Sequence, residues 1–189
     1  MKDDLFLRGH KVPMTKEEVR LSALERLNLR TAKRLIDVGA GTGSVSLEAA
    51  LRYPDLHITA IERNPAALAL IEENCRHFGC QNIDIVAADA PLALDVRADA
   101  VFIGGSGGNL SDIIDWALAL LNDGGSLVMN FILLENYQQA FNQLQNRAVV
   151  ELESSLIQIS RLTALGSGHY FKPNNPTYLI SCRKEQTHG

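Results

Sequence analysis

Residues 35–44 read Leu35-Ile36-Asp37-Val38-Gly39-Ala40-Gly41-Thr42-Gly43-Ser44, an apolar run that breaks into three glycines at alternate positions. Glycine tolerates positive φ and lets a ligand come close to the backbone. The helix expected to follow begins with free N–H groups. Together these describe a small-molecule cradle at the carboxyl end of a strand. Two common cradles do not match. The dinucleotide fingerprint needs a glycine where Ser44 stands, and a P-loop needs Gly-Lys where the chain has Ser44-Val45. Asp37, two residues before the first glycine, would repel a phosphate and suits a ligand that carries an ammonium group.

Outward from this loop the chain alternates. A strand is predicted over 34–38, then the turn and a helix to Tyr53. A second strand covers 57–61. Asn64 and Pro65 open a helix as N-cap and N1, and Gly79 stops it after Phe78. Strands follow at 83–87 and 100–103, a helix at 109–121, a turn at 122–125, a strand at 126–131 and a helix at 135–145. Strands alternating with helices imply parallel βαβ units in one doubly wound α/β sheet. Two further strands, over 149–161 and 177–182, have no helix between them, so an antiparallel hairpin closes the sheet at seven strands. Their connector, 165–176, reads as loop. Near the start, Thr15-Lys16-Glu17-Glu18 has the spacing of a capping box, which predicts a leading helix over 15–29 with Thr15 at the N-cap. The expected organisation is one domain, with an arm at 1–14, a core at 34–183 and a frayed polar tail at 184–189.

Composition narrows the class. The chain has 189 residues, 46% of them apolar, and 18 basic against 22 acidic side chains for a net charge of -4. That balance argues against electrostatic capture of nucleic acid or an anionic membrane. No apolar run reaches the ~18 residues of a membrane span. Cys75, Cys80 and Cys182 are too sparse for a disulfide framework and read as reduced thiols in the cytoplasm. No His/Cys cluster has ligand spacing, so no metal is expected. Trp116 and His57 read as structural.

Two more acids fall at strand ends. Glu62, 23 residues after Gly39, is placed to accept both hydroxyls of a ribose, and Asp89 an exocyclic adenine amine. An amino acid, a ribose and an adenine together describe S-adenosylmethionine. Asp37-Val38-Gly39-Ala40-Gly41-Thr42-Gly43, Glu62 and Asp89 resemble the class I S-adenosylmethionine-dependent methyltransferases, whose Rossmann-like sheet has seven strands, the last antiparallel, and helices on both faces. The arm 7–20 and the loop Ile103-Gly104-Gly105-Ser106-Gly107-Gly108-Asn109 resemble more narrowly the CbiT family of decarboxylating cobalt-precorrin-6B C15-methyltransferases.

The resemblance implies methyl transfer to C15 of a corrin precursor in cobalamin biosynthesis, with loss of carbon dioxide from the C12 acetate. It implies a cofactor site of Thr15, Asp37, Gly39, Ala40, Gly41, Thr42, Gly43, Glu62, Arg63, Asp89 and Ala90. It also implies a cytoplasmic homo-oligomer, a tetramer, and functional pairing with other methyltransferases of the pathway. No catalytic acid or base is identified. A polycarboxylate substrate needs cations. Arg8, His10 and Lys11 on the arm, His169 and Lys172 near the end, and the open floor Gly105, Ser106 and Gly107 are the candidates, with Asn130 at the end of the fifth strand also facing the site. The alternatives are an RNA methyltransferase of the same fold and a nucleotide-binding module without turnover.

Overall fold

The computed structural model describes residues 1–9 and 11–187; His10, an expected substrate contact, and His188 and Gly189 of the tail lie outside the described residues. The sheet is organised around β1 (Arg34–Val38), whose Leu35, Ile36 and Val38 are buried because both faces are covered. On one side β1 pairs in parallel with β2 (His57–Glu62), which pairs with β3 (Ile83–Ala87). On the other side it pairs with β4 (Ala98–Ile103), followed by β5 (Leu121–Phe131). The order is β3-β2-β1-β4-β5, so connections run away from β1 in opposite directions and leave a crevice at the carboxyl ends of β1 and β4.

The helices lie on both faces. α1 (Glu17–Leu27) and α2 (Ser44–Arg52) bury Ala23, Leu24, Leu27, Ala49 and Ala50 on one side. On the other side α4 (Leu110–Leu120) and α5 (Leu134–Leu144) bury Ile113, Ile114, Ala117, Ala140 and Leu144; α3 (Pro65–Phe78) lies between β2 and β3 in sequence. Asn64 caps α3 through its side chain, which accepts from the Ala66 N–H at 2.9 Å, and Gly79 ends it at φ +67°. The predicted turn at 122–125 is an excursion inside β5, where the register with β4 slips between Ala98 and Ala100. Trp116 packs against the core and donates its indole N–H to the Leu92 carbonyl at 2.8 Å. Among the described residues no helix is long and apolar enough to cross a membrane.

The antiparallel closure is present. β6 (Val149–Ile157) and β9 (Thr177–Lys184) pair with each other, and β9 inserts beside β5 to give seven strands. Two expectations are corrected. The strand predicted over 149–161 ends at Ile157, and a two-stranded ribbon, β7 (Ser160–Leu165) and β8 (Gly168–Pro173), runs on into the connector 165–176 predicted as loop. Its turn is the pair Gly166-Ser167 with Gly166 at φ +60°, a glycine-first hairpin turn that matches strand twist. Thr15 does not cap α1. The N-cap is Lys16 and makes no side-chain cap bond, so the helix begins later than the capping box implied. Thr15 is instead held by its carbonyl, which accepts from Arg20 Nη1 at 2.6 Å and from Ser44 Oγ at 3.4 Å.

Candidate functional site

The crevice holds a cavity of about 270 Å³. Its back is the glycine turn after β1: Gly39, Ala40 and Gly41. Its flank is Glu62, Arg63 and Asn64 after β2, with Ala88, Asp89 and Ala90 after β3. Gly104, Gly105, Ser106 and Gly107 form the floor after β4, and Pro13 and Thr15 of the arm close the remaining side. Four strand ends and the arm therefore meet here.

Close packing explains two of the glycines. A Cβ on Gly39, at φ +69°, would lie 2.7 Å from the Gly105 carbonyl oxygen. A Cβ on Gly41, at φ +58°, would lie 2.7 Å from the Pro13 carbonyl oxygen. Any side chain at either position would separate the back wall from the floor or from the arm.

The loop spends its own donors. The N–H groups of Gly39 and Ala40 donate to the Ile61 carbonyl at 2.9 and 3.1 Å, and that of Gly43 to the Ala40 carbonyl at 2.8 Å. Gly41 N–H donates to Glu62 Oε2 at 2.9 Å. A pyrophosphate finds no free donor among these four, and the Glu62 carboxylate stands against it. Phosphate is excluded here by Glu62 and the spent donors, not by Asp37 as the sequence suggested.

Glu62 is fixed by its other oxygen, Oε1, which accepts the N–H groups of Arg63 and Asn64 at 2.9 Å each. Among the described residues Oε2 accepts only from Gly41, which leaves it acceptor capacity toward the cavity. Arg63 Nη1 reaches Asp89 Oδ1 at 3.2 Å, and its guanidinium lies against Gly107, so it spans the cavity mouth. Both partners are exposed, so the pair is weak and yields to a ligand.

Asp37 is not on the cavity wall. It is buried behind the loop, where Oδ2 accepts from Ser46 Oγ at 2.6 Å and Oδ1 has no partner. Burial pushes its carboxyl up to about 6, against the opposing hydrogen bonds from Ser46. Thr42 and Gly43 are also off the wall, and the Thr42 hydroxyl is buried without a partner. Thr15, Gly39, Ala40, Gly41, Glu62, Arg63, Asp89 and Ala90 do line it, as do Gly105, Ser106 and Gly107. Asn130 is half-buried, with Nδ2 3.5 Å from Thr15 Oγ1 and Oδ1 unpartnered near Gly104. Arg8 and Lys11 are exposed on the arm, and His169 and Lys172 on β8; none of the four lines the cavity. Among the described residues no cluster of three metal-ligating side chains occurs.

Sequence reasoning missed Pro13, Val38, Ile61, Asn64, Ala88, Gly104 and Ile113 as lining residues. Glycine repetition at 104–108 signalled the floor, whereas Pro13 carries no signal, because it contributes a backbone carbonyl.

The family model described as precorrin methyltransferase domain matches residues 5–184. A protein of Salmonella typhimurium named cobalt-precorrin-6B C(15)-methyltransferase (decarboxylating) is 57% identical over 188 residues, covering 100% of this chain and 98% of its own length. A solved structure of precorrin-6y C5,15-methyltransferase from Geobacter metallireducens superposes with a TM-score of 0.90 at 35% identity, covering 97% of this chain and 96% of that one. A solved structure named precorrin 8W decarboxylase, from Methanobacterium thermoautotrophicum, gives a TM-score of 0.88 at 32% identity, covering 96% and 98%.

Proposed function

As the chain belongs to the precorrin methyltransferase domain family, we propose that it transfers a methyl group from S-adenosylmethionine to C15 of a corrin precursor, with decarboxylation of the C12 acetate, in cobalamin biosynthesis. The observation that carries the reading is the cavity itself. A glycine wall with spent N–H groups, a carboxylate with spare acceptor capacity at Glu62, and a second at Asp89 converge beside a side-chain-poor floor.

The residues present fit S-adenosylmethionine. Gly39 and Gly41 leave room that a Cβ would fill. Oε2 of Glu62 can take ribose hydroxyls while Oε1 stays locked to the Arg63 and Asn64 N–H groups. Asp89 can accept from the adenine amine once Arg63 swings aside. The sulfonium, when bound, supplies an electrophilic methyl group. Thr15 and Gly104 line the same cavity.

The chain's work is alignment and exclusion of water. Loss of carbon dioxide from the acetate leaves an electron pair in the conjugated macrocycle. C15 uses that density to form the new C–C bond as the S–CH₃ bond breaks. Gly105, Ser106 and Gly107 offer a flat floor that a macrocycle can approach closely. Arg8 and Lys11, on the arm whose Pro13 and Thr15 close the cavity, are candidates for the carboxylates. The protein works in the cytoplasm as a homo-oligomer: the ribbon exposes Leu162, Leu165 and Phe171, an apolar surface a second copy would cover.

Titration calorimetry with S-adenosylmethionine and, separately, with NADH tests the cofactor. Binding of the first alone, and S-adenosylhomocysteine release only with a corrin precursor present, is the expected result. Binding of neither, or release independent of the precursor, would overturn the reading.

A further inference from the structure

Among the described residues the arm reaches the cavity only through Pro13 and Thr15, yet it is pinned at two places by polar side chains that solvent does not touch. The first is Arg20 on α1, wholly buried beneath the arm. It donates from Nε to Glu48 Oε2 at 2.5 Å and from Nη1 to the Thr15 carbonyl at 2.6 Å and Asp3 Oδ1 at 3.1 Å. Nη2 donates to the Met1 carbonyl at 2.5 Å, and the guanidinium lies 4.8 Å from the Phe6 ring centroid. Glu48 sits on α2, the helix that leaves the glycine loop. Burial alone would raise its carboxyl, but hydrogen bonds from Arg20, the Met1 ammonium and Arg52 hold it below the usual range. The second pin is Asn74 on α3, also wholly buried. Its Oδ1 accepts from the Leu7 N–H at 2.8 Å, while Nδ2 donates to the Leu7 carbonyl at 3.1 Å and the Thr42 carbonyl at 3.3 Å.

Asn74 touches both the arm and the glycine turn, whereas Arg20 touches the arm and Glu48 on the helix that leaves the turn. Arg20 holds the Thr15 carbonyl, which also accepts from Ser44 at the end of the glycine turn. Asn74 joins Leu7 to Thr42 within the turn. Neither side chain lines the cavity. A buried ion pair is a poor way to gain stability, since apolar replacements of similar volume are often as stable. It is a good way to fix one arrangement of three segments.

We propose that Arg20 and Asn74 are positioning residues that latch the arm onto the glycine loop, so that cofactor affinity is set from outside the cavity. The proposal rests on the reading of the cavity as the S-adenosylmethionine site. The latch keeps the Pro13 carbonyl against Gly41 and the Thr15 hydroxyl at the cavity edge. Releasing it lets the arm lift, with the loop and its carboxylates left in place.

The test measures S-adenosylmethionine affinity by calorimetry alongside thermal unfolding for the full chain and the variants Arg20→Met, Arg20→Lys, Asn74→Leu and Asn82→Ala. Arg20→Met leaves Glu48 paired with Arg52, so no buried charge is stranded. Asn82→Ala is the stability control, because Asn82 bonds the Leu56 carbonyl at 2.7 Å and touches neither arm nor cavity. Arg20→Met and Asn74→Leu are expected to weaken the cofactor by about ten- to a hundredfold. Turnover at saturating cofactor should stay within about threefold of the parent, a KM effect. Arg20→Lys should fall between parent and Arg20→Met, and Asn82→Ala should bind within about twofold of the parent. Amide exchange at Leu7 should accelerate in Asn74→Leu; if Arg20→Met does not fold, this and Arg20→Lys carry the test. Unchanged affinity in the latch variants, or an equal loss in Asn82→Ala, would overturn the latch. Failure of the parent itself to bind S-adenosylmethionine would overturn the cofactor reading, and the latch with it.

Discussion

Replacing Gly41 with alanine sets a Cβ 2.7 Å from the Pro13 carbonyl oxygen while the backbone sits at φ +58°. Both atoms belong to backbone or its first side-chain carbon, so no flexible group can absorb the contact. The left-handed conformation alone costs roughly 1–2 kcal/mol for an alanine. Relief of the contact moves either the arm or the loop, and moving the loop breaks the 2.9 Å bond from the Gly41 N–H to Glu62, worth about 0.5–1.5 kcal/mol. Together these are about 1.5–3.5 kcal/mol charged to the assembled cavity, or roughly a 10- to 300-fold loss of S-adenosylmethionine affinity at about 1.4 kcal/mol per decade. Gly41→Val should lose more, because a β-branched residue strains further at positive φ. Titration calorimetry on parent and Gly41→Ala, with unfolding curves run in parallel, reads the effect. Affinity within about threefold of the parent, with the protein still folded, would refute the assignment of this wall to the cofactor.

Three further outcomes are expected. Asp37 holds its proton up to about 6 in the folded chain against 3.8 ordinarily, so its contribution to stability declines as pH rises through that window and levels off above it. Asp37→Asn should therefore match the parent below about pH 4 and exceed it by up to ~3 kcal/mol at pH 7 in denaturant titrations; a constant gap across pH would contradict the buried, proton-holding carboxyl. Asn64→Ala removes the α3 cap and should cost ~1 kcal/mol, about 2–4 °C in the unfolding midpoint by calorimetry. Phe171 faces Leu162 across the ribbon and both are exposed, so Phe171→Glu should lower the mass seen by sedimentation while leaving circular dichroism unchanged; an unchanged mass would remove the ribbon from any interface.

Much of this architecture is legible in the chain because its signals are local. The Asn64-Pro65 pair and Gly79 delimit α3 within a residue, and the apolar run before Gly39 marks the central strand. The glycine turn and the acids at 62 and 89 announce one wall of the cavity, since each ends a strand. What escaped is non-local or carried by backbone. Thr15 looks like a cap by spacing, but its carbonyl is claimed by Arg20 and Ser44, so the helix starts after it. Arg20 lies among Val19, Ala23 and Leu24 on the buried face of α1, and its partner Glu48 is 28 residues away. The ribbon was hidden because its strands pair only with each other and bury little, leaving no apolar alternation. Its Gly166-Ser167 turn was the available signal.

Incubation of the purified chain with cobalt-precorrin-6B and ¹³C-methyl S-adenosylmethionine, followed by mass spectrometry and carbon NMR of the product, tests the central claim most directly. One labelled methyl at C15, loss of one carbon dioxide and one S-adenosylhomocysteine per product is the predicted result. A label at another position, or a methylated product that keeps its C12 acetate carboxylate, would contradict it.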